Sequence, residues 1–123
     1  MSDIKQLPDT KSTLLVDDED VIRKSLIEAI DVGMLMLGER GRHAIYLHIE
    51  KMFGVKCSDY PEEVEAFHYT LKHLLGSGSE ILERTIAKRL YHRLGLDFKE
   101  YENYTIIDYV GQARIIWSLH YPI

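Results

Sequence analysis

The sequence predicts an all-α domain of about five helices, and three observations predict it. Apolar residues recur at helical spacing in successive segments, most clearly Leu82, Ile86, Leu90 and Leu94. Three of these segments end the same way, as Phe53-Gly54-Val55, Leu75-Gly76 and Leu94-Gly95-Leu96, the pattern of a helix closed by a glycine cap. Alternation of apolar and polar residues, the mark of a half-buried strand, is absent apart from a short stretch at Thr13 to Val16.

Residues 1 to 13 are polar and include Pro8, and read as a flexible N-terminal arm; residues 14 to 123 read as one helical domain. The acids Asp17, Asp18, Glu19 and Asp20 suit the start of a helix, because carboxylates cap its free amides and meet the positive end of its dipole. Ile22, Leu26, Ala29 and Ile30 then face inward, with the helix expected to reach Leu37 before Gly38. A second helix is expected after Gly41, with Ile45, Ile49, Met52 and Phe53 inward, ending at Gly54. Val55 to Tyr60 reads as a connector. Pro61 fits only the first turn of the next helix, beside Glu62, Glu63 and Glu65, and Val64, Phe67, Leu71, Leu74 and Leu75 form its stripe. Ser77 and Glu80 read as a capping box opening the helix that carries Leu82 to Leu94. A tyrosine-rich loop, Asp97 to Tyr104, leads to a second capping box, Thr105 with Asp108, and a last helix with Ile106, Val110, Ala113 and Trp117 inward.

Length and composition set bounds on function. At 123 residues the chain is one domain, long enough to bury a core without disulfides or metals. A net charge of −5 argues against a general coating of nucleic acid, although a local basic face is compatible with it. The lone Cys57 excludes an internal disulfide and any multi-cysteine zinc site. The N-terminus lacks a signal-peptide pattern and no apolar run is long enough to span a membrane, so the expectation is a cytoplasmic protein with no membrane partner.

Several catalytic readings fail on spacing. Leu14-Leu15-Val16-Asp17-Asp18-Glu19 resembles the opening of a receiver domain, with Asp59 at a suitable distance, but helical periodicity fills the interval where strands are needed. His43 and His48 are five apart, as are His68 and His73, which points each pair about 140° apart on a helix rather than onto one metal. A metal-assisted hydrolase would need the fold to bring those histidines together. Gly76-Ser77-Gly78-Ser79 lacks the Gly-Lys-Ser/Thr of a phosphate loop. The sequence therefore predicts no enzyme, no cofactor and no metal.

Two surfaces remain. Arg84, Lys88, Arg89, His92 and Arg93 make a basic face that reads either as solvated and paired with Glu62, Glu63 and Glu65, or as a partner or nucleic-acid surface. The C-terminal third holds Tyr101, Tyr104, Tyr109, Trp117 and Tyr121, more rings than one small core readily encloses, and so suggests a homodimer interface.

A family resemblance rests on Tyr46 to Val55, on Phe67 to Gly76, on Ile81-Leu82-Glu83 with Lys88-Arg89-Leu90 and Leu94-Gly95-Leu96, and on Tyr109 with Val110. Over about Val21 to Val110 the chain resembles a small archaeal helical family found as the output domain of thaumarchaeal response regulators. The resemblance implies a compact helical module in signalling and carries over no catalytic residue. The sequence departs from those regulators in lacking an attached receiver domain, so the expectation does not extend to a direct phosphorelay role. The combined expectation is a non-enzymatic, self-associating interaction module, with nucleic-acid binding second.

Overall fold

The computed structural model describes residues 19–120, with the side chain of His120 excepted. The expected arm, the strand-like Thr13 to Val16, the acids Asp17 and Asp18, and Tyr121 lie outside the described residues. Among the described residues there are five helices: α1 (19–34), α2 (Gly38–Phe53), α3 (Val64–Leu75), α4 (Gly78–Leu94) and α5 (Ile106–His120). Short 3-10 turns at Leu35–Leu37 and Cys57–Asp59 join them, and no strand occurs among the described residues. The domain is all-α.

The apolar stripes converge as their spacing requires. Ile22, Leu26, Ala29 and Ile30 of α1, Ile45 and Ile49 of α2, Phe67 and Leu71 of α3, Leu82, Ile86, Leu90 and Leu94 of α4, and Ile106, Val110 and Ala113 of α5 all lie in one core. Trp117 is only partly buried against it. Helix α3 packs against α2, α4 and α5, and α4 also packs against α5. α1 meets α4 at an unusually close point. A Cβ on the buried Gly33 would stand 2.6 Å from Ile86 Cγ1 and 3.6 Å from its Cα. Alanine here would improve helix propensity by roughly 0.5–1 kcal/mol. Overpacking costs about 1–3 kcal/mol and wins. Gly33→Ala is therefore expected to lower the urea-unfolding free energy by about 1 kcal/mol; an equal or higher value would show that α1 and α4 are less closely packed.

Helix ends follow the expected chemistry at Gly54, Gly76, Gly95 and Thr105 and depart from expectation at others. Gly95, at φ 70°, places its N–H on the His92 carbonyl, while the Leu96 N–H reaches the Tyr91 carbonyl at 2.9 Å. That pair of bonds is a Schellman closure, and Leu96 folds back on the core. The Thr105 N–H donates to Asp108 Oδ2 at 2.8 Å, the carboxylate half of the expected capping box. The Ser77–Glu80 box does not form: Ser77 is already in helical geometry without a side-chain bond, and the Ser79 hydroxyl donates instead to the Gly76 carbonyl at 2.7 Å. α1 stops three residues before the expected Leu37, and α2 begins at Gly38 rather than after Gly41. Gly38 adopts φ 80° with its N–H on the Leu35 carbonyl, turning the chain immediately. Pro61 sits in a turn before α3, not in its first turn, because the amides of Glu62 and Glu63 bond back to the Asp59 carbonyl.

Three side chains expected inside are exposed. Met52 and Phe53 belong to the last turn of α2, where Phe53 meets Tyr69 edge-on at 6.1 Å on the surface. In α3 the buried face runs through Phe67, Thr70 and Leu71, which leaves Leu75 partly buried and turns Leu74 outward. Thr70 enters the core because its hydroxyl bonds to the Ala66 carbonyl of its own helix at 2.9 Å.

Candidate interaction surfaces and the buried Glu83 junction

The basic face of α4 is neutralised more than the sequence suggests. Arg89 donates from Nε and Nη2 to the two oxygens of Glu28 on α1, at 3.2 and 2.6 Å, and Arg93 approaches the same carboxylate at 3.6 Å. Arg84 lies 4.0 Å from Glu100. The expected partners Glu62, Glu63 and Glu65 are not used; Glu62 instead takes two bonds from Arg23. The reason is tertiary, since the close approach at Gly33 brings the side of α1 that carries Glu28 against α4. Lys88 and His92 are exposed and have no ion pair among the described residues. Four guanidinium or ammonium groups thus face two carboxylates, a weak field for binding phosphate.

These pairs make stability depend on pH. The Arg89 hydrogen bond, helped by the charges of Arg89 and Arg93, holds the Glu28 carboxyl below its usual value near 4.5. Arg23 does the same to Glu62. A depressed folded pKa contributes stability that is complete above the unfolded value and is lost as pH falls through the folded one. The thermal midpoint should therefore fall as the pH is taken below about 4.5, and Glu28→Gln should flatten that fall. A midpoint insensitive to acid across this window would contradict the pairing.

The C-terminal aromatic group divides. Tyr109, expected at an interface, is 2% exposed and belongs to the core. Its hydroxyl accepts the Tyr101 N–H at 3.0 Å, and its carbonyl accepts the Tyr91 hydroxyl at 2.8 Å. Phe98 packs on both Tyr91 and Tyr109, at 5.4 and 5.2 Å. Rings that the composition suggested for a partner thus anchor the 96–105 loop to α4 and α5. Burial pushes the Tyr91 hydroxyl up to about 12. Tyr101 and Tyr104 stay exposed, their rings tilted against each other at 4.6 Å. On the outer side of α5, Ile115 is 56% and Leu119 73% exposed, one helical turn apart. Together with the partly buried Ile116 and Trp117 they form an apolar side of the second half of α5, and Arg114 and Ser118 form its polar side.

The histidines do not converge. His43 is exposed and His48 half-buried on α2, and His73 stacks on Tyr69 at 6.1 Å. His68 turns the other way and places Nδ1 2.5 Å from Glu83 Oε2. Among the described residues no group of three or more histidines, cysteines or acids gathers as a metal site. Glu83, 4% exposed, is the functional-looking residue that periodicity passed over. It lies seven residues, close to two turns, before Leu90, on the same side of α4. Its Oε1 accepts the N–H of Ile106 at 3.0 Å, one of the amides that a helix start leaves without a partner. One carboxylate therefore joins α3, α4 and the start of α5. A charged residue inside an apolar stripe was the available signal.

A cavity of about 190 Å³ borders this junction, lined by His68, Lys72, Glu80, Glu102, Asn103 and Thr105 among others. With a carboxylate on Nδ1, the His68 ring presents Nε2 as its remaining polar atom, the arrangement of a general base. The nearby Ser79 hydroxyl is committed to the Gly76 carbonyl, and Cys57 lies exposed on another part of the chain. The junction reads as architecture.

A larger cavity of about 530 Å³ opens between the end of α4, the loop and α5, lined by Tyr91, Leu96, Asp97, Lys99, Gln112 and Ile116, with Tyr101 at its side. No helix among the described residues is long and apolar enough to cross a membrane. No family model, curated protein or solved structure matches this chain.

Proposed function

We propose that the protein is a non-enzymatic interaction module that self-associates as a homodimer through the outer half of α5. The observation that carries this reading is the exposure of Ile115 and Leu119 on a helix segment whose neighbours Ile116 and Trp117 are also apolar. An exposed apolar pair one turn apart on a helix favours cover by a partner surface. Covering side chains of this size contributes about 1.5–3 kcal/mol each. A two-fold dimer covers the same face on both chains with one contact. Tyr101 and Tyr104, exposed on the loop before α5, are included in the proposed interface, while the buried Tyr109 serves it only by holding the loop in place. A place in archaeal signalling belongs to the same proposal and rests on the family resemblance alone.

The test is the pair Ile115→Glu and Leu119→Glu, both at exposed positions that the fold tolerates. Light scattering is expected to show a dimer for the parent and a monomer for the variant, with unchanged helical circular dichroism. A variant that dimerises as the parent does would remove α5 from the interface.

Nucleic-acid binding through Arg84, Lys88, Arg89, His92 and Arg93 stands second, supported by the unpaired and exposed Lys88 and His92. It requires a gel-shift complex that weakens steeply with salt. The absence of a complex at low salt removes it.

A further inference from the structure

We infer that the cavity between the end of α4, the 96–105 loop and α5 binds a free α-amino acid with an apolar or aromatic side chain. Its volume, about 530 Å³, lies within the range of roughly 300–1,000 Å³ typical of small-molecule sites. The lining sorts into two kinds of surface. Tyr91, Leu96 and Ile116 supply an apolar part. Tyr91 is buried, its hydroxyl held by the Tyr109 carbonyl and its ring by Phe98, so it forms a fixed floor of the cavity. Asp97, Lys99 and Gln112 supply polar groups, all exposed and without an ion pair or hydrogen bond among the described residues.

The two charges are of opposite sign and two residues apart in a non-helical segment. A zwitterion has the matching pair, an ammonium and a carboxylate on one carbon. The ammonium belongs at Asp97. Gly95, the residue that closes α4, also lines the cavity, and a helix C-terminus carries partial negative charge that favours a cation. The exposed ring of Tyr101 adds a face that attracts the same group. The carboxylate then meets Lys99, Gln112 serves either group, and the side chain covers Leu96 and Ile116. A purely anionic ligand would face Asp97 and the helix end, and a purely cationic one would face Lys99. A ligand with both charges matches the set.

Tyr101 and Ile116 border both this cavity and the proposed interface, whereas Asp97 and Lys99 lie in the loop, so their substitution reports on the ligand site apart from self-association. The test is calorimetric titration of the full chain with L-phenylalanine, L-tryptophan and L-leucine, beside phenethylamine, which lacks the carboxylate, and 3-phenylpropionate, which lacks the ammonium. Saturable binding of at least one amino acid is expected. Phenethylamine and phenylpropionate should each bind at least about tenfold more weakly than phenylalanine, the loss of one charge-assisted contact. Asp97→Asn and Lys99→Gln, at exposed positions that leave the helical circular dichroism unchanged, should each weaken amino-acid binding by about the same factor. No saturable binding of any of the three amino acids at millimolar concentration would overturn the inference. So would binding indifferent to both substitutions, or phenethylamine or phenylpropionate binding as tightly as phenylalanine.

Discussion

Glu83→Ala is expected to cost about 3–5 kcal/mol of stability, measured by urea unfolding near neutral pH. The carboxylate is 4% exposed and both its oxygens are engaged, one by the Ile106 amide and one by His68. Alanine leaves the first donor of α5 without its acceptor inside the protein and strands the His68 Nδ1 in a partly buried place. Breaking a buried pair from one side is costly for that reason, whereas replacing both partners together with apolar groups is often mild. The double variant Glu83→Leu/His68→Leu is accordingly expected to recover part of the loss. Glu83→Gln should fall between, at about 1–3 kcal/mol, because its amide oxygen still accepts from Ile106. A loss under about 1 kcal/mol for Glu83→Ala would mean that water replaces the carboxylate freely and that the junction contributes little.

Leu90→Ala is the second large effect, expected at about 2–5 kcal/mol. Leu90 is fully buried, on the face of α4 shared with Ile86 and Leu94, in a core to which all five helices contribute. Removing its branched end deletes buried methyl groups and leaves a cavity that rigid helices on several sides fill poorly. Against a total stability of about 5–15 kcal/mol, this shift is readily seen in a denaturant midpoint. A Leu90→Ala protein that unfolds at the parent midpoint would show that the core closes around the gap.

The features legible in the sequence are those that one helix determines for itself. The stripe Leu82, Ile86, Leu90, Leu94 is buried as its period requires, and Gly95 closes its helix with the bonds its position implies. The same holds for Ile22 to Ile30 in α1. What the sequence hid depends on a second element. The Arg89 partner, Glu28, is 61 residues away, and only the packing of α1 on α4 brings them together. Gly33 looks like any glycine in an apolar run until Ile86 is placed over it. Tyr109 was counted with the interface rings because composition records how many rings exist and not what they touch; its neighbours are Tyr91, Phe98 and Tyr104 of the same chain. Glu83 was the exception, since its register with Leu90 placed it inside the stripe from the start. The candidate interface is legible in part: Trp117 belongs to the aromatic inventory of the sequence, whereas the exposed apolar pair Ile115 and Leu119 is visible only once the inward face of α5 is fixed.

The central claim, self-association through α5, is tested most directly by sedimentation equilibrium of the unmodified chain over a concentration series. One chain has a mass of 14.3 kDa. The account predicts a mass that rises toward twice that value, with a monomer–dimer fit in the micromolar range. A constant mass of a single chain at every concentration would contradict it.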